Sequence, residues 1–266
     1  MKKTNLRPIA FVLSSTNHGS LLVNRHDYHS LDNSPATSWG VGHQLLSTSS
    51  FDQEEVDCVL NLLESRKLNY GDGVIALDCG ANIGVHTVEW AKLMSEWGEV
   101  IAFEAQERIF YALAGNITLN NCFNARAIWA AVGSSTGHIG VPIPNYFKPS
   151  SFGSLEIRST SNTEFIGQII DYTNLQQTQM ISIDDMELVR LDFIKIDIEG
   201  MEMEALNGAK ETIIRTRPQI LVERVKSNEE DISNFLVKHG YKIFPMGLNF
   251  LAIHESDPIS SQIQIT

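Results

Sequence analysis

The chain has 266 residues, 43% of them apolar, and 32 acidic against 20 basic side chains leave a formal net charge of −12. That field repels phosphate backbones, and with no basic run to offset it, DNA and RNA are disfavoured as partners. No stretch of about 18 apolar residues exists to cross a bilayer, and the widely spaced Cys58, Cys79 and Cys122 make neither a disulfide framework nor a zinc spacing, which fits a reduced cytoplasmic compartment.

Residues 1–50 are rich in Ser, Asn, His and Gly, with short apolar runs at Ile9–Leu13 and Leu21–Val23, and read as a β-containing N-terminal extension. Lys2 and Lys3 precede too short an apolar run for a good signal peptide, and a strand is the better reading. Val56, Val59, Leu60 and Leu63 mark one helical face within Phe51–Lys67. Strand Val74–Asp78, helix Ile83–Trp97, strand Val100–Glu104, helix Glu107–Asn120 and strand Ala125–Val132 then alternate. Such alternation predicts an α/β fold with a parallel, doubly wound sheet.

From residue 134 to 179 the period is lost, and Gly, Ser, Pro, Asn and Thr dominate. A stretch of this length predicts a binding loop or, equally, a small β-meander packed by its aromatics. Order returns with strands Met180–Ile183 and Phe193–Asp197, a helix over Met201–Arg215, strand Gln219–Glu223 and helix Glu229–His239. Tyr241–Pro245 and Asn249–His254 read as an antiparallel hairpin. The main domain is expected over 51–254, followed by a polar tail, 255–266.

The chemistry concentrates at the strand ends. In Asp78-Cys79-Gly80-Ala81-Asn82-Ile83-Gly84 the glycines turn the backbone sharply and let a ligand approach, and the next helix points its free N–H groups at that ligand. A dinucleotide loop would read G-x-G-x-x-G, whereas here Asn82 and the acid Asp78 stand where a pyrophosphate would lie. The loop therefore suits S-adenosylmethionine, which carries cations and no phosphate. Glu104 follows at the distance where an acid accepts the ribose hydroxyls, and Gln106 can reach the adenine side. His86, on the first turn of the loop helix, is a candidate base or ligand contact, or a capping and packing residue.

A second cluster is Lys195-Ile196-Asp197-Ile198-Glu199-Gly200. Strand alternation puts Lys195 and Asp197 on one side, either as an ion pair or with Asp197 free to accept a proton or hold a substrate hydroxyl. Glu199 and Glu202 open the next helix, where negative charge is favourable. Glu223 ends the neighbouring strand close to Asp197. These carboxylates could ligate a divalent cation, but no His completes the set and no metal is expected. Asp184 and Asp185 are assigned a capping role before Phe193.

The segments LDCGANIGVHTVEWAK, VIAFEAQERIFYALAGNITLN, SIDDMELVRLDFIKIDIEGMEMEALNGA and RPQILVE together resemble the FkbM family of S-adenosylmethionine-dependent methyltransferases. The resemblance implies the Rossmann-like class I methyltransferase fold, a seven-stranded, mostly parallel sheet with an antiparallel last strand. It also implies methyl transfer, usually to a hydroxyl oxygen of a sugar, polyketide or similar small molecule. By position, Asp78, Gly80, Asn82 and Gly84 would hold the methionine part of the cofactor, with Ala81 inside the same loop. Glu104 would hold the ribose, and Ala131-Val132-Gly133 would lie near the adenine. Asp197, Glu199 and Glu202 would face the reactive methyl, with Glu223 in support. The chain departs from the family at Ala105-Gln106, where Pro is common, and residues 1–50 match nothing in it. The competing readings are an NAD-dependent oxidoreductase and a non-catalytic cofactor-binding scaffold. The expected partner is a small-molecule or carbohydrate substrate, with neither nucleic acid nor membrane.

Overall fold

The apolar strands assemble into one nine-stranded sheet in a computed structural model that describes residues 8–30 and 37–262. Residues 1–7, 31–36 and 263–266, which include Lys2, Lys3 and the end of the polar tail, lie outside the described residues. The central strands are β5 (Val74–Cys79), β6 (Gly98–Glu104), β7 (Ala125–Val132), β10 (Phe193–Ile196) and β11 (Gln219–Glu223). They run parallel in the order β11-β10-β5-β6-β7. β12 (Tyr241–Met246) and β13 (Asn249–His254) form the expected hairpin, and β13 lies antiparallel against β11. The chain thus builds one half of the sheet outward from β5 and the other outward from β10. The β5/β10 seam is where strand order reverses, the place open α/β sheets bind ligands.

The sheet exceeds the seven strands expected. β9 (Leu175–Ile181) pairs parallel with β7, and β8 (Gly137–Pro142) pairs antiparallel with β9 at the edge. β8 arises inside the segment that reads as either a binding loop or a β-meander, and β9 begins there and runs into the strand expected at Met180–Ile183. An edge pair with one wet face buries little, so Gln176, Gln177 and Gln179 in β9 hide the alternation that marks a strand. The rest of that segment packs over the crevice through Tyr146 and the short 3-10 turn Phe152–Ser154.

Helices cover both faces. α2 (Gln53–Tyr70), α3 (Val85–Leu93) and α4 (Glu107–Leu119) bury Leu63, Trp90 and Leu113 in one apolar cluster with Ala76 and Phe193. On the other face, α5 (Glu202–Gly208), α6 (Lys210–Thr216) and α7 (Glu229–Lys238) bury Leu206, Ile213 and Leu236 with Leu77 and Ile194. Adjacent strand residues therefore feed opposite clusters, as a period of two demands. Each fully buried side chain of this size contributes roughly 1.5–3 kcal/mol.

The single helix expected over Met201–Arg215 is two. Ala209 ends α5 and starts α6 with φ −112° and ψ 2°. Asp184 caps the second helix rather than the region before Phe193, accepting from the Glu211 and Thr212 N–H groups at 3.0 and 2.8 Å. α7 starts from Asn228, whose side chain accepts from Glu230 and Asp231 N–H. Asn228→Ala should cost about 1 kcal/mol, read as a lower urea midpoint at unchanged slope.

The N-terminal extension contains a hairpin, β1 (Phe11–Thr16) with β2 (Gly19–Asn24), and the short pair β3 (His29–Ser30) with β4 (Ser38–Trp39). It also contains a helix that the sequence reading missed, α1 (Val41–Thr48). The cap position of α1 is a glycine with no side chain to offer, so buried Asp27 takes that role, accepting from Gly42 N–H at 2.9 Å. The other Asp27 oxygen accepts from Phe152 N–H at 3.0 Å, which ties the extension to the wall of the crevice.

Candidate active site

A cavity of about 280 Å³ opens at the carboxyl ends of β5, β6, β7 and β10. All twelve candidate residues line it: Asp78, Gly80, Ala81, Asn82, Gly84, His86, Glu104, Gln106, Ala131, Asp197, Glu199 and Glu223. They come from five separate chain segments.

The floor is the turn after β5. Gly80 has φ +82°, and a Cβ there would meet the Asp197 carbonyl oxygen at 1.7 Å. Only glycine lets β5 and β10 approach so closely at the seam. Asn82 adopts φ +50°, a left-handed conformation that asparagine tolerates better than most residues, and its side chain accepts from Ile83 N–H at 2.7 Å. Asp78 is buried. Its Oδ2 accepts from Thr87 Oγ1 at 2.6 Å, while Oδ1 is enclosed with no hydrogen-bond partner among the described residues. A buried carboxylate oxygen left in that state is costly unless a donor or cation reaches it.

Glu104 is also buried, at the end of β6. It accepts from Asn82 N–H at 3.0 Å and from Gln106 N–H at 2.7 Å, so the glycine turn fixes its position. Burial, assisted by the nearby Asp78 charge, outweighs those bonds and pushes its carboxyl up to about 7. Gln106 is held between the Phe152 carbonyl, to which it donates at 2.9 Å, and the Tyr146 hydroxyl, from which it accepts at 3.1 Å.

Across the seam, Lys195 donates to Asp197 at 2.6 Å. The ion pair is therefore present, and Asp197 still reaches the cavity because its carboxylate is partly exposed while the lysine is buried. Burial works against the Lys195 charge, but Asp197, Asp78 and Glu55 outweigh it and hold the ammonium above its ordinary range. Carboxylate oxygens of Asp197, Glu199 and Glu223 lie within 4.8 Å of one another. Burial and the charges of Asp197 and Glu202 push Glu223 up to about 8. Glu199, with φ +57°, is raised by burial and by Asp197 and Glu223, and it pairs with Lys226 at 2.5 Å. Lysines 195 and 226 thus place positive charge beside Asp197 and Glu199.

Two placements decide between readings that the sequence left open. Glu202 does not face the cavity; it is fully buried and accepts from Ile198 and Gly200 N–H and from the Ser227 hydroxyl. A buried carboxylate at a helix start is held more strongly by backbone donors than by an open site. His86 lines the cavity but is itself buried, with Nε2 3.2 Å from Glu55 Oε1. Burial would raise Glu55, but His86, Lys195 and the 2.7 Å bond from Asn249 outweigh it and hold the carboxyl below its ordinary range.

Several wall residues carried no sequence signal. Trp39, Gln44 and Phe51 come from the extension and the start of α2, and Ser151 and Leu155 from the insertion. Lys226 also escaped the sequence reading, although its charge is what satisfies Glu199.

Residues 78–243 match the family model described as Methyltransferase FkbM domain. "Methyltransferase 1" of Beauveria bassiana (strain ARSEF 2860) is 23% identical over 153 residues, covering 52% of this chain and 59% of that protein. "Methyltransferase sdnD" of Sordaria araneosa is 24% identical over 160 residues, covering 51% of this chain and 60% of that protein. The matched part thus spans about three fifths of the length of these curated relatives. The crystal structure of Methyltransferase FkbM from Methylobacillus flagellatus KT is similar at 16% identity and a TM-score of 0.46, over 79% of this chain and 53% of that one. With the family model covering more than half of its residues, glycine turn and carboxylate strand ends included, the chain belongs to the FkbM methyltransferase family.

Proposed function

We propose that this methyltransferase uses S-adenosylmethionine to methylate a hydroxyl oxygen of a sugar, glycan or small metabolite. The observation that carries the reading is the buried Asp78 Oδ1, without a hydrogen-bond partner among the described residues, in an acid-lined crevice. It fits a ligand bearing ammonium and sulfonium charge, and it opposes the pyrophosphate of NAD. Asp78 and the turn Gly80, Ala81, Asn82 and Gly84 would hold the amino-acid end, and Glu104 the ribose hydroxyls. Gln106 and Ala131 would flank the base. When bound, the cofactor supplies an activated methyl group on a sulfonium.

In methyl transfer to oxygen, positioning does most of the work. Asp197, fixed by Lys195 at the seam, is placed to hold the acceptor hydroxyl and take its proton. Glu223 and Glu199 lie beside it, their carboxyls held high by burial. Calorimetry should show micromolar binding of S-adenosylhomocysteine and none of NAD; tight NAD binding with no S-adenosylhomocysteine binding would refute the reading. A one-methylene mass gain on candidate acceptors would establish turnover.

Glu104 gives this reading a pH signature. Only the ionised carboxylate can accept both ribose hydroxyls, and it titrates at about 7 in the folded chain. S-Adenosylhomocysteine affinity should therefore climb from about pH 6 to about pH 8. Glu104→Gln should flatten that rise and weaken binding on the order of 10- to 100-fold, the worth of a charged hydrogen bond.

A further inference from the structure

A larger chamber of about 850 Å³ adjoins the crevice, meeting it at Phe51, His86, Lys195, Asp197 and Glu223. Its outer wall is residues 44–55, from α1 and the start of α2, closed by Gly247, Leu248 and Asn249 of the β12–β13 turn. These segments lie outside the family match at 78–243. The chamber thus joins residues of the matched core to segments on either side of it.

Its chemistry is specific. Gln44, Thr48, Ser50, Gln53 and Asn249 line it together with Phe51. Five acidic side chains line it, Asp52, Glu54, Glu55, Asp197 and Glu223, of which Glu223 is held protonated up to about pH 8 by burial, while the one lysine among its lining residues, Lys195, is already engaged by Asp197. At the junction, Glu223 Oε2 is enclosed without a hydrogen-bond partner among the described residues. An anionic group entering here would meet several carboxylates at short range, with no unengaged lysine or arginine among the described lining residues to offset them. Hydroxyls and amines would find acceptors, and a sugar face would find an aromatic ring.

Resting on the methyl-transfer reading above, we infer that this chamber is the acceptor site and that it takes a polyhydroxylated molecule, neutral or amine-bearing, while excluding anionic ones. The acceptor would present its hydroxyl at the junction. There the oxygen gains the methyl, the carbon–sulfur bond of the donor breaks to leave a neutral thioether, and the hydroxyl proton passes to Asp197.

The test uses the full chain saturated with S-adenosylhomocysteine and three size-matched probes, glucose, glucosamine and glucuronic acid, in ligand-observed NMR titrations. Glucose and glucosamine should bind, and glucuronic acid should bind at least about tenfold more weakly, as a like-charge clash requires. Glu54→Lys, an exposed change, should narrow that gap severalfold while leaving S-adenosylhomocysteine affinity unchanged. Equal or tighter binding of glucuronic acid, an unchanged gap in Glu54→Lys, or no binding of any probe would each overturn the inference. Failure of S-adenosylhomocysteine itself to bind is a separate result, which removes the methyl-transfer reading and the inference with it.

Discussion

Asp197→Asn is expected to lower methyl transfer by about 10²- to 10⁴-fold, the usual worth of a positioned acid or base, with S-adenosylhomocysteine affinity nearly unchanged. The amide keeps the shape of the carboxylate but cannot take the acceptor proton. The fold should survive. Asp197 is partly exposed, and buried Lys195 keeps the charges of Asp78 and Glu55 for compensation. Two readouts separate a chemical role from a structural one. The loss should fall on kcat rather than on KM, and Asp197→Glu, which restores a carboxylate, should recover part of it. Unchanged turnover, or a loss matched by weaker cofactor binding and a lower Tm, would show that Asp197 only partners Lys195.

Gly80→Ala is expected to have the largest effect on stability. The added Cβ would sit 1.7 Å from the Asp197 carbonyl oxygen, which is backbone and cannot rotate away. The position also requires φ +82°, where an L side chain is strained. Overpacking of about 1–3 kcal/mol and left-handed strain of about 1–2 kcal/mol together give a loss of about 2–5 kcal/mol. Urea denaturation reads that loss directly. Any folded fraction should also bind S-adenosylhomocysteine poorly, because relieving the clash means parting β5 from β10 at the ligand seam. An alanine variant as stable as the parent would mean that the seam is looser than these contacts require.

Acid carboxyls held high by burial also set the pH response of the fold. Glu104 and Glu223 bind protons more tightly in the folded chain, at about 7 and about 8, than at their ordinary value of 4.5. Between those limits the folded state carries more protons than the unfolded one, so these two groups make stability fall as pH rises through the window. A cationic ligand would oppose that fall by favouring the charged forms.

The limits of sequence reading follow from what local pattern can encode. Strands β5, β7 and β11 were legible because parallel central strands are continuous apolar runs bounded by turns. The glycine turn and Glu104 were legible because their spacing is a property of one strand–turn–helix unit. β8 was not, and β9 only at its Met180–Ile181 end, since a polar edge pair lacks the alternation that a buried face imposes. The break at Ala209 was hidden because apolar helical period continues through it. Glu202 was misplaced because a residue's position near a helix start does not say which way its side chain turns.

Taken alone, the order of residues determined the alternating α/β plan, the family likeness and the twelve positions that line the crevice, because each depends on short-range period or spacing. Tertiary structure alone decided that Asp197 is paired with Lys195, that His86 leans on Glu55, and that residues 44–55 wall a second chamber. Those facts join segments far apart in the chain, and their energies are set by distance and burial, which no local pattern carries.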